Sequence, residues 1–183
     1  MQVDFVRFRA GDPEDAAALA AFWCSNVWPF HVKSHPDRTE VEALIDSGSL
    51  DGPSDRTYWI SHSGERVGFV HIEDLHPDDG DPLFDLRIHG PHRGKGIGRS
   101  AVNWLTSTVF TEHSHASRIE AQTRQDNLAM RRVLTGCGYV KEAHYRRAWP
   151  DSDGTLHDGI GYAILRDDWV SGRSTPVDWS DSP

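Results

Sequence analysis

Apolar and polar residues alternate from Val3 to Arg9, which predicts a β-strand because neighbouring side chains in a strand point to opposite faces. A helix is predicted next, with Asp12 as its N-cap, Pro13 at the first helical position and acidic residues in the first turn. A second, shorter helix is predicted over residues 38–48, capped by Thr39 and closed near Gly48.

The middle and end of the chain alternate between strand and helix patterns. Residues 56–75 predict two strands around a turn at Ser63 and Gly64, and residues 83–90 predict a third strand. Apolar residues at helical spacing then predict a long helix over residues 99–110. Residues 118–123 predict a strand, residues 127–138 a helix, and residues 139–149 and 157–169 a closing pair of strands.

This order of elements predicts an α/β (α+β) fold. Its centre is a strand, a glycine-rich loop, a helix and a second strand, and such a crossover connection requires the two strands to be parallel. The other strands read as antiparallel hairpins. We therefore expect a mixed central sheet of six or seven strands with helices on both faces.

Length and charge narrow the class of protein. The chain has 183 residues, and we expect a single domain over residues 1–170 followed by a polar tail over residues 171–183. Neither a signal peptide nor an apolar stretch of membrane-spanning length is evident, so we expect a soluble cytoplasmic protein with no membrane partner. The formal net charge of -9 argues against a nucleic-acid binder and favours a cationic partner such as an amine.

Cysteine and histidine spacing gives little support for a metal site. Cys24 and Cys137 lie far apart and outside any CxxC motif, so we expect two separate thiols that fill apolar space. The closest histidine pair, His113 and His115, lies in a predicted loop. We therefore expect no metal ion.

The segment HRGKGIG, residues 92–98, places three glycines at alternate positions among basic residues, a composition typical of phosphate binding. It does not match a P-loop, because the spacing before Lys95 is one residue short and Gly96 stands where Ser or Thr would hold magnesium. It also lacks the third glycine of a dinucleotide-binding loop, since Arg99 occupies that position.

The same segment resembles the Arg/Gln-x-x-Gly-x-Gly/Ala signature of the GNAT superfamily of N-acetyltransferases, with Arg93, Gly96 and Gly98 in the defining positions. The flanking strand and helix, the segment NLAMRRVLTGCGYVKEA and the ending GYAILRDDW extend the resemblance over residues 3–169. The pattern is most similar to the branch that includes ribosomal-protein N-terminal acetyltransferases.

The resemblance implies acetyl-CoA as cofactor and a splay between the two parallel central strands. Its diphosphate would meet the loop N–H groups and the positive end of the next helix, and its pantetheine arm would run along the strand before the loop. Asn127 matches an asparagine that contacts this arm, and an N-cap role for it is equally expected. The implied cofactor-binding residues are Ile88, His89, Arg93, Gly94, Lys95, Gly96, Ile97, Gly98, Arg99 and Asn127.

Acetyl transfer to an amine needs a base, because an ammonium group must lose a proton before it can attack. Glu73 and Asp85 are the first candidates, on or at the end of central strands, and His71 and His89 occupy alternate positions beside them. A salt bridge or a surface position explains each of these residues equally well. For this reason the base stays open between them.

The leaving thiolate has no assigned acid. Many GNAT enzymes carry a tyrosine seven residues after the asparagine, and this chain has Leu134 there. This departure leaves a non-catalytic acyl-CoA-binding module as the alternative to an enzyme. Tyr139 is expected to fill the core.

The acceptor is expected to meet two parts of the chain, the segment that joins the first two helices (residues 26–37) and the last hairpin, where aromatic residues stand near carboxylates. A small-molecule amine and a protein N-terminus both fit, and a homodimer is expected from the resemblance. The candidate acceptor-binding residues are Trp28, Phe30, His31 and Tyr145.

Overall fold

The computed structural model describes residues 2–180, and across them the chain forms seven strands and five α-helices. The strands are β1 (Val3–Arg7), β2 (Arg56–His62), β3 (Glu65–Glu73), β4 (Leu83–Ile88), β5 (Arg118–Arg124), β6 (Val140–Pro150) and β7 (Leu156–Leu165). The helices are α1 (Pro13–Cys24), α2 (Arg38–Asp46), α3 (Ile97–Glu112), α4 (Leu128–Gly136) and α5 (Arg166–Ser171). A short 3-10 turn, Gly90–His92, lies between β4 and α3.

Local sequence signals explain most element ends. The Asp12 carboxylate caps α1, as predicted, by accepting from the N–H groups of Glu14 and Asp15. The cap of α2 is wrong in the prediction: Asp37, two residues before Thr39, accepts from the Thr39 N–H at 2.8 Å. An aspartate and a threonine are both good caps, and the sequence alone does not choose between them.

The end of the chain differs from the prediction. The last strand ends at Leu165, and residues that were expected to continue it form α5. The guanidinium of Arg166 donates to the carbonyls of Phe110, His113 and Ala116, which turns the chain away from the sheet. Of the predicted domain and tail, Met1 and residues 181–183 lie outside the described residues.

The strands form two antiparallel sheets, one with the order β1-β2-β3-β4 and one with the order β5-β7-β6. This architecture confirms the predicted fold class, although the seven strands divide into groups of four and three. The Ser63–Gly64 turn joins β2 to β3 with positive φ at both residues, 54° and 80°, which suits the twist of a tight hairpin.

The two sheets meet at β4 and β5. The N–H of Glu120 donates to the carbonyl of Pro82 at 2.7 Å, which joins the beginnings of the two strands. No β-ladder continues from this bond among the described residues, so the strands separate as both run on from it. The space that opens between them holds the candidate site.

Helices cover both faces of the first sheet, as predicted. Trp59 and Phe69 face α1 and α2 and belong to one apolar cluster, whereas Ile60 and Val70 face α3 and belong to another. Consecutive residues therefore enter different cores, and every residue of β3 from 67 to 72 is buried. Because β3 is buried on both faces, close packing fixes its position beside β4.

Gly68 makes the close pairing of β3 with β4 possible. A Cβ atom at this position would collide with the carbonyl oxygen of Arg87 and would lie 3.2 Å from the Cα of Ile88. We predict that Gly68→Ala lowers the free energy of unfolding by about 1–3 kcal/mol, because backbone atoms must move to admit the methyl group. Denaturant unfolding would measure this loss.

Gly80→Ala is the control for that change, since a Cβ atom at Gly80 meets nothing within 4 Å. Its stability should be unchanged or slightly higher, because alanine restricts the unfolded chain. Equal stability losses in the two variants would contradict this account of Gly68.

Candidate active site

Two adjoining cavities occupy the opening between β4 and β5. The first, which we call the loop cavity, has a volume of 370 Å³ and includes Gly94, Gly96 and Gly98 in its wall. The second, which we call the carboxylate cavity, has a volume of 610 Å³ and includes Glu73 and Asp85. The residues that line both cavities are Phe30, His31, Leu86, Arg87, Asn127 and Met130.

The glycine-rich loop leads directly into α3. Gly94 and Gly96 have positive φ values of 74° and 82°, a conformation that disfavours other residues, and Gly96 is the N-cap of the helix. The first helical bond runs from the Ser100 N–H to the Gly96 carbonyl. In the described residues, the N–H groups from 94 to 99 have no backbone acceptor, so they are available to an anion at the positive end of a 16-residue helix.

Gly98 sets how closely the loop approaches its neighbours. A Cβ atom there would lie 3.4 Å from Ile88 Cδ1 and 3.8 Å from Val133 Cγ2. The start of α3 therefore packs against β4 and α4 without a side chain between them. Gly98 lines the loop cavity without adding a side chain to its wall.

The loop arginines brace the site as well as charging it. Arg93 Nε donates to the carbonyl of Ile88 at 2.7 Å, and its Nη2 donates to that of Val27 at 3.1 Å. Arg99 Nη2 donates to the carbonyl of Gly136 at 2.9 Å, at the end of α4. Both side chains line the loop cavity, so each can offer positive charge while it fixes neighbouring backbone.

Three predicted cofactor residues lie outside the loop cavity. Ile97 is buried in the core under α3, and Lys95 is exposed to solvent. The ring of His89 packs against Phe22 at 6.3 Å and His92 at 5.8 Å. Their backbone positions still belong to the loop region, and in the described part of the chain neither cavity wall includes their side chains.

Asn127 caps α4, one of the two roles that the sequence analysis expects, and its contact with the cofactor arm stays a prediction. Its Oδ1 accepts from the Met130 N–H at 3.2 Å, which caps α4, and its Nδ2 donates to Thr123 Oγ1 at 3.0 Å. The residue also lines both cavities. Because capping fixes its rotamer, Asn127 presents a rigid polar edge at the junction of the two cavities.

Asp85 is held by an arginine and a histidine. Its carboxylate accepts from Arg87 Nε at 2.8 Å and from His31 Nε2 at 2.9 Å. Burial alone would raise the pKa of Asp85, but Arg87 and His31 hold the pKa well below its usual range. Asp85 is therefore ionised and a weak base, and it anchors His31 to β4.

Glu73 lies in a contrasting environment. Burial, followed by the nearby charges of Asp85, Asp55 and Asp74, raises the pKa of Glu73 to about 7. Its side chain keeps 39% of its exposure, so protons can pass between it and solvent. A carboxylate that titrates near neutral pH and lines a cavity is suited to general base catalysis.

His71 is the nearest ring to Glu73. The hydroxyl of Thr57 donates to the carbonyl of Leu50 at 2.7 Å, so its oxygen accepts the Nδ1–H of His71 at 2.9 Å. Burial, opposed by Asp85 and assisted by Arg87, lowers the pKa of His71 to about 4, which keeps the ring neutral. Its Nε2 lies 3.6 Å from Glu73 Oε1 and does not neutralise that carboxylate.

The predicted acceptor residues fall in different places. Phe30 and His31 line both cavities, whereas Trp28 is fully buried and lines the loop cavity. Tyr145 is 46% exposed on β6, and in the described residues it lines neither cavity. Trp149, on the same strand, does line the carboxylate cavity.

Arg124 supports the site from outside the two cavity walls, and the sequence analysis does not identify it. It is buried at the end of β5, where its guanidinium donates to Asp126, to Asp151 on the last hairpin and to the carbonyl of Pro29. The Asp126 hydrogen bond contributes most to raising the pKa of Arg124. Arg124 thus joins the segment before α2, residues 25–37, to the second sheet, although these residues are far apart in sequence.

Leu134 and Tyr139, the two positions considered for the missing acid, both lie in the core. Leu134 is fully buried, and the Tyr139 hydroxyl bonds to Thr106 Oγ1 at 2.9 Å in the core. Burial raises the pKa of Tyr139 and also that of Cys137. Tyr139 fills the core as expected.

Cys24 and Cys137 are free thiols that are only partly buried. No helix among residues 2–180 has the length and apolarity needed to span a membrane.

Comparison with known proteins agrees with this architecture. A model of the Acetyltransferase (GNAT) domain matches residues 6–140, and no curated protein matches the chain. A solved chimera of the Vibrio cholerae spermidine N-acetyltransferase SpeG and hSSAT is similar with a TM-score of 0.78 and 18% identity, over 93% of this chain and 99% of that chain.

Two further solved structures are similar over nearly the whole chain. The Vibrio cholerae spermidine N-acetyltransferase in complex with CoA and spermine has a TM-score of 0.74 and 19% identity, over 92% of this chain and 98% of that chain. A dodecameric structure of that organism's enzyme has a TM-score of 0.74 and 18% identity, over 93% and 98%. At these identities the likeness shows a common fold.

The loop geometry predicts a specific loss in Gly96→Val. Coenzyme A should raise the melting temperature of the unsubstituted protein by binding the folded state, and this rise should vanish in the variant. A β-branched residue at φ 82° reorients the N–H groups that face the loop cavity. A thermal melt with and without millimolar coenzyme A measures the effect.

Gly48→Val is the matched control, because Gly48 has a φ of 78° beyond the end of α2. Both variants lose stability from the same backbone strain, and only Gly48→Val should keep the coenzyme A response. A full response in Gly96→Val would show that the anion binds elsewhere.

Proposed function

The chain belongs to the GNAT acetyltransferase family, and we propose that it transfers an acetyl group from acetyl-CoA to a primary amine. Enzymes of this family use acetyl-CoA. The observation that carries the proposal is the pairing of a glycine loop at the start of α3 with a neighbouring cavity that contains Glu73. A loop suited to an anion and a carboxylate with a pKa near neutral therefore lie on the two sides of one opening between strands.

The residues of the loop cavity fit coenzyme A. The free N–H groups after Arg93 and the start of α3 would hold the diphosphate, and the space left by Gly98 would admit the pantetheine arm beside Ile88. When bound, acetyl-CoA supplies an acetyl thioester, so that a C–N bond forms as the C–S bond breaks. The products are an amide, a thiol and a proton.

Glu73 is proposed as the general base. Near pH 7 a large fraction of its carboxylate is ionised, and it accepts a proton from the ammonium group of the acceptor, directly or through one water molecule. Its partial exposure lets the proton pass on to solvent. The second proton lost by the nitrogen is balanced by the one that the thiol sulfur gains.

Asp85 is proposed as a positioning residue. Its bonds to Arg87 and His31 hold the segment that carries Phe30 and His31 against β4, and its negative charge helps to raise the pKa of Glu73. The two carboxylates that the sequence analysis ranks together therefore receive different roles because only one of them is paired with cations.

A non-catalytic acyl-CoA-binding module is the second candidate, favoured by the buried Leu134 at the family's tyrosine position. A thiol is already a fair leaving group, so an enzyme can dispense with that acid. Release of free thiol from acetyl-CoA decides between the two, measured with a panel of small amines and one peptide with a free N-terminus. Coenzyme A binding without thiol release across the panel would favour the module.

The peptide arm of that panel also tests the similarity to ribosomal-protein N-terminal acetyltransferases. Acetylation of the peptide in preference to every small amine would support that branch. The solved neighbours named above are spermidine N-acetyltransferases, which supports a small amine as acceptor. The expected homodimer stays a prediction for sizing in solution.

The raised pKa of Glu73 predicts the pH dependence of the reaction. Only the deprotonated carboxylate accepts a proton, so kcat/KM should rise with pH and reach half its limit near pH 7. Glu73→Gln should remove this limb and lower kcat roughly 10²–10⁴-fold. Asp55→Asn should shift the limb to lower pH, because the Asp55 charge helps to raise the pKa of Glu73.

Glu65→Gln, at an exposed glutamate on the same strand, is the control and should keep the profile of the unsubstituted protein. An unchanged acidic limb in Glu73→Gln would assign the base to another group.

A further inference from the structure

We propose that the acceptor is an amphipathic monoamine, with one cationic amine on an apolar, ring-containing body, and that polyamines are poor acceptors. This inference rests on the proposed function and concerns the carboxylate cavity. Three observations lead to it: the wall is largely apolar, its carboxylates are mostly paired, and its mouth carries exposed apolar side chains.

Aromatic and aliphatic side chains make up most of the wall. The carboxylate cavity has a volume of 610 Å³, within the roughly 300–1,000 Å³ typical of pockets for small organic ligands, so it can hold an organic body as well as an amine. Burying such a body is favourable because it removes apolar surface from water. The apolar residues that define the wall include Trp23, Phe30, Val41, Phe84, Met130 and Trp149.

The charges of the wall leave little room for a second cation. Glu40 pairs with Lys33 at 2.5 Å, and Asp85 is bound by Arg87 and His31. Among the cavity residues that the structure describes, Glu73 is the one carboxylate without a cationic partner within 4 Å. A polyamine would bring two or more ammonium groups to a single available carboxylate, and each unpaired ammonium would lose hydration without compensation.

The aromatic rings do not replace the missing carboxylates. The Arg87 guanidinium lies 4.7 Å from the ring centre of Trp23, and that of Arg124 lies 5.5 Å from the ring centre of Phe30. One face of each ring is therefore already covered by a protein cation. Those two ring faces are not available to a second ammonium group.

The mouth of the cavity continues the apolar surface. Val32 and Leu44 both line the cavity, and they are 45% and 42% exposed. An acceptor whose apolar body extends beyond the wall would cover these side chains when it binds. A polyamine chain would instead pass its charges over them.

The test compares 2-phenylethylamine with spermidine as acceptors at fixed ionic strength, using thiol release for kcat/KM. Calorimetric binding of each amine to the full chain with coenzyme A present provides a second readout. We expect 2-phenylethylamine to be favoured at least tenfold in both measurements. In Val32→Asp, the new charge at the mouth should reduce this preference about tenfold, the scale on which pocket contacts set specificity.

Val170→Asp is the matched control, since Val170 is an exposed valine on α5 outside both cavities, and it should keep the preference. Equal or greater turnover of spermidine would overturn the inference and leave the proposed function intact. If neither amine is turned over but 2-phenylethylamine still binds more tightly, the result supports the inference and counts against the proposed function. Absent or equal binding of the two amines would overturn the inference.

Discussion

The separation of β4 from β5 is the constraint on which the site depends. A backbone bond from Glu120 to Pro82 joins the beginnings of the strands, and beyond it their facing edges have no ladder partner among residues 2–180. Open strand edges are unstable unless something covers them. Here the segment before α2, α4 and the last hairpin enclose the opening, which creates two cavities with a common polar boundary at Asn127 and Arg87.

Basic side chains hold the enclosing parts in place. Arg93, Arg124 and the Asp85–His31 pair each attach the segment before α2 to a different part of the scaffold, namely β4, the end of β5 and the middle of β4. Each bond satisfies a carbonyl or carboxylate that would be costly to bury alone. The same network pairs Asp85 and leaves Glu73 unpaired, so it also separates the roles of two carboxylates that lie on adjacent strands.

Positions governed by local chemistry could be predicted from sequence. The Asp12 cap, the Ser63–Gly64 turn and the loop glycines each depend on backbone preferences of the residues concerned. Predictions were weaker where two local signals compete, as at Asp37 and Thr39, or where a distant partner decides, as at Arg166, whose carbonyl acceptors lie 50 to 56 residues away. The motif resemblance identified the loop, and the side chains at the cavity walls required the fold.

The sequence by itself determined the order of elements from β1 to β7, the covered sheet and the glycine-rich loop before α3, because periodicity and glycine conformation act over a few residues. The tertiary structure alone decided that Arg124 holds the Pro29 backbone beside the site, that Tyr145 lines neither described cavity and that the pKa of Glu73 is raised to about 7. A pKa depends on burial and on charges from other strands, and a cavity depends on which side chains converge. Neither the pKa nor the cavity can be inferred from residues that are adjacent in sequence.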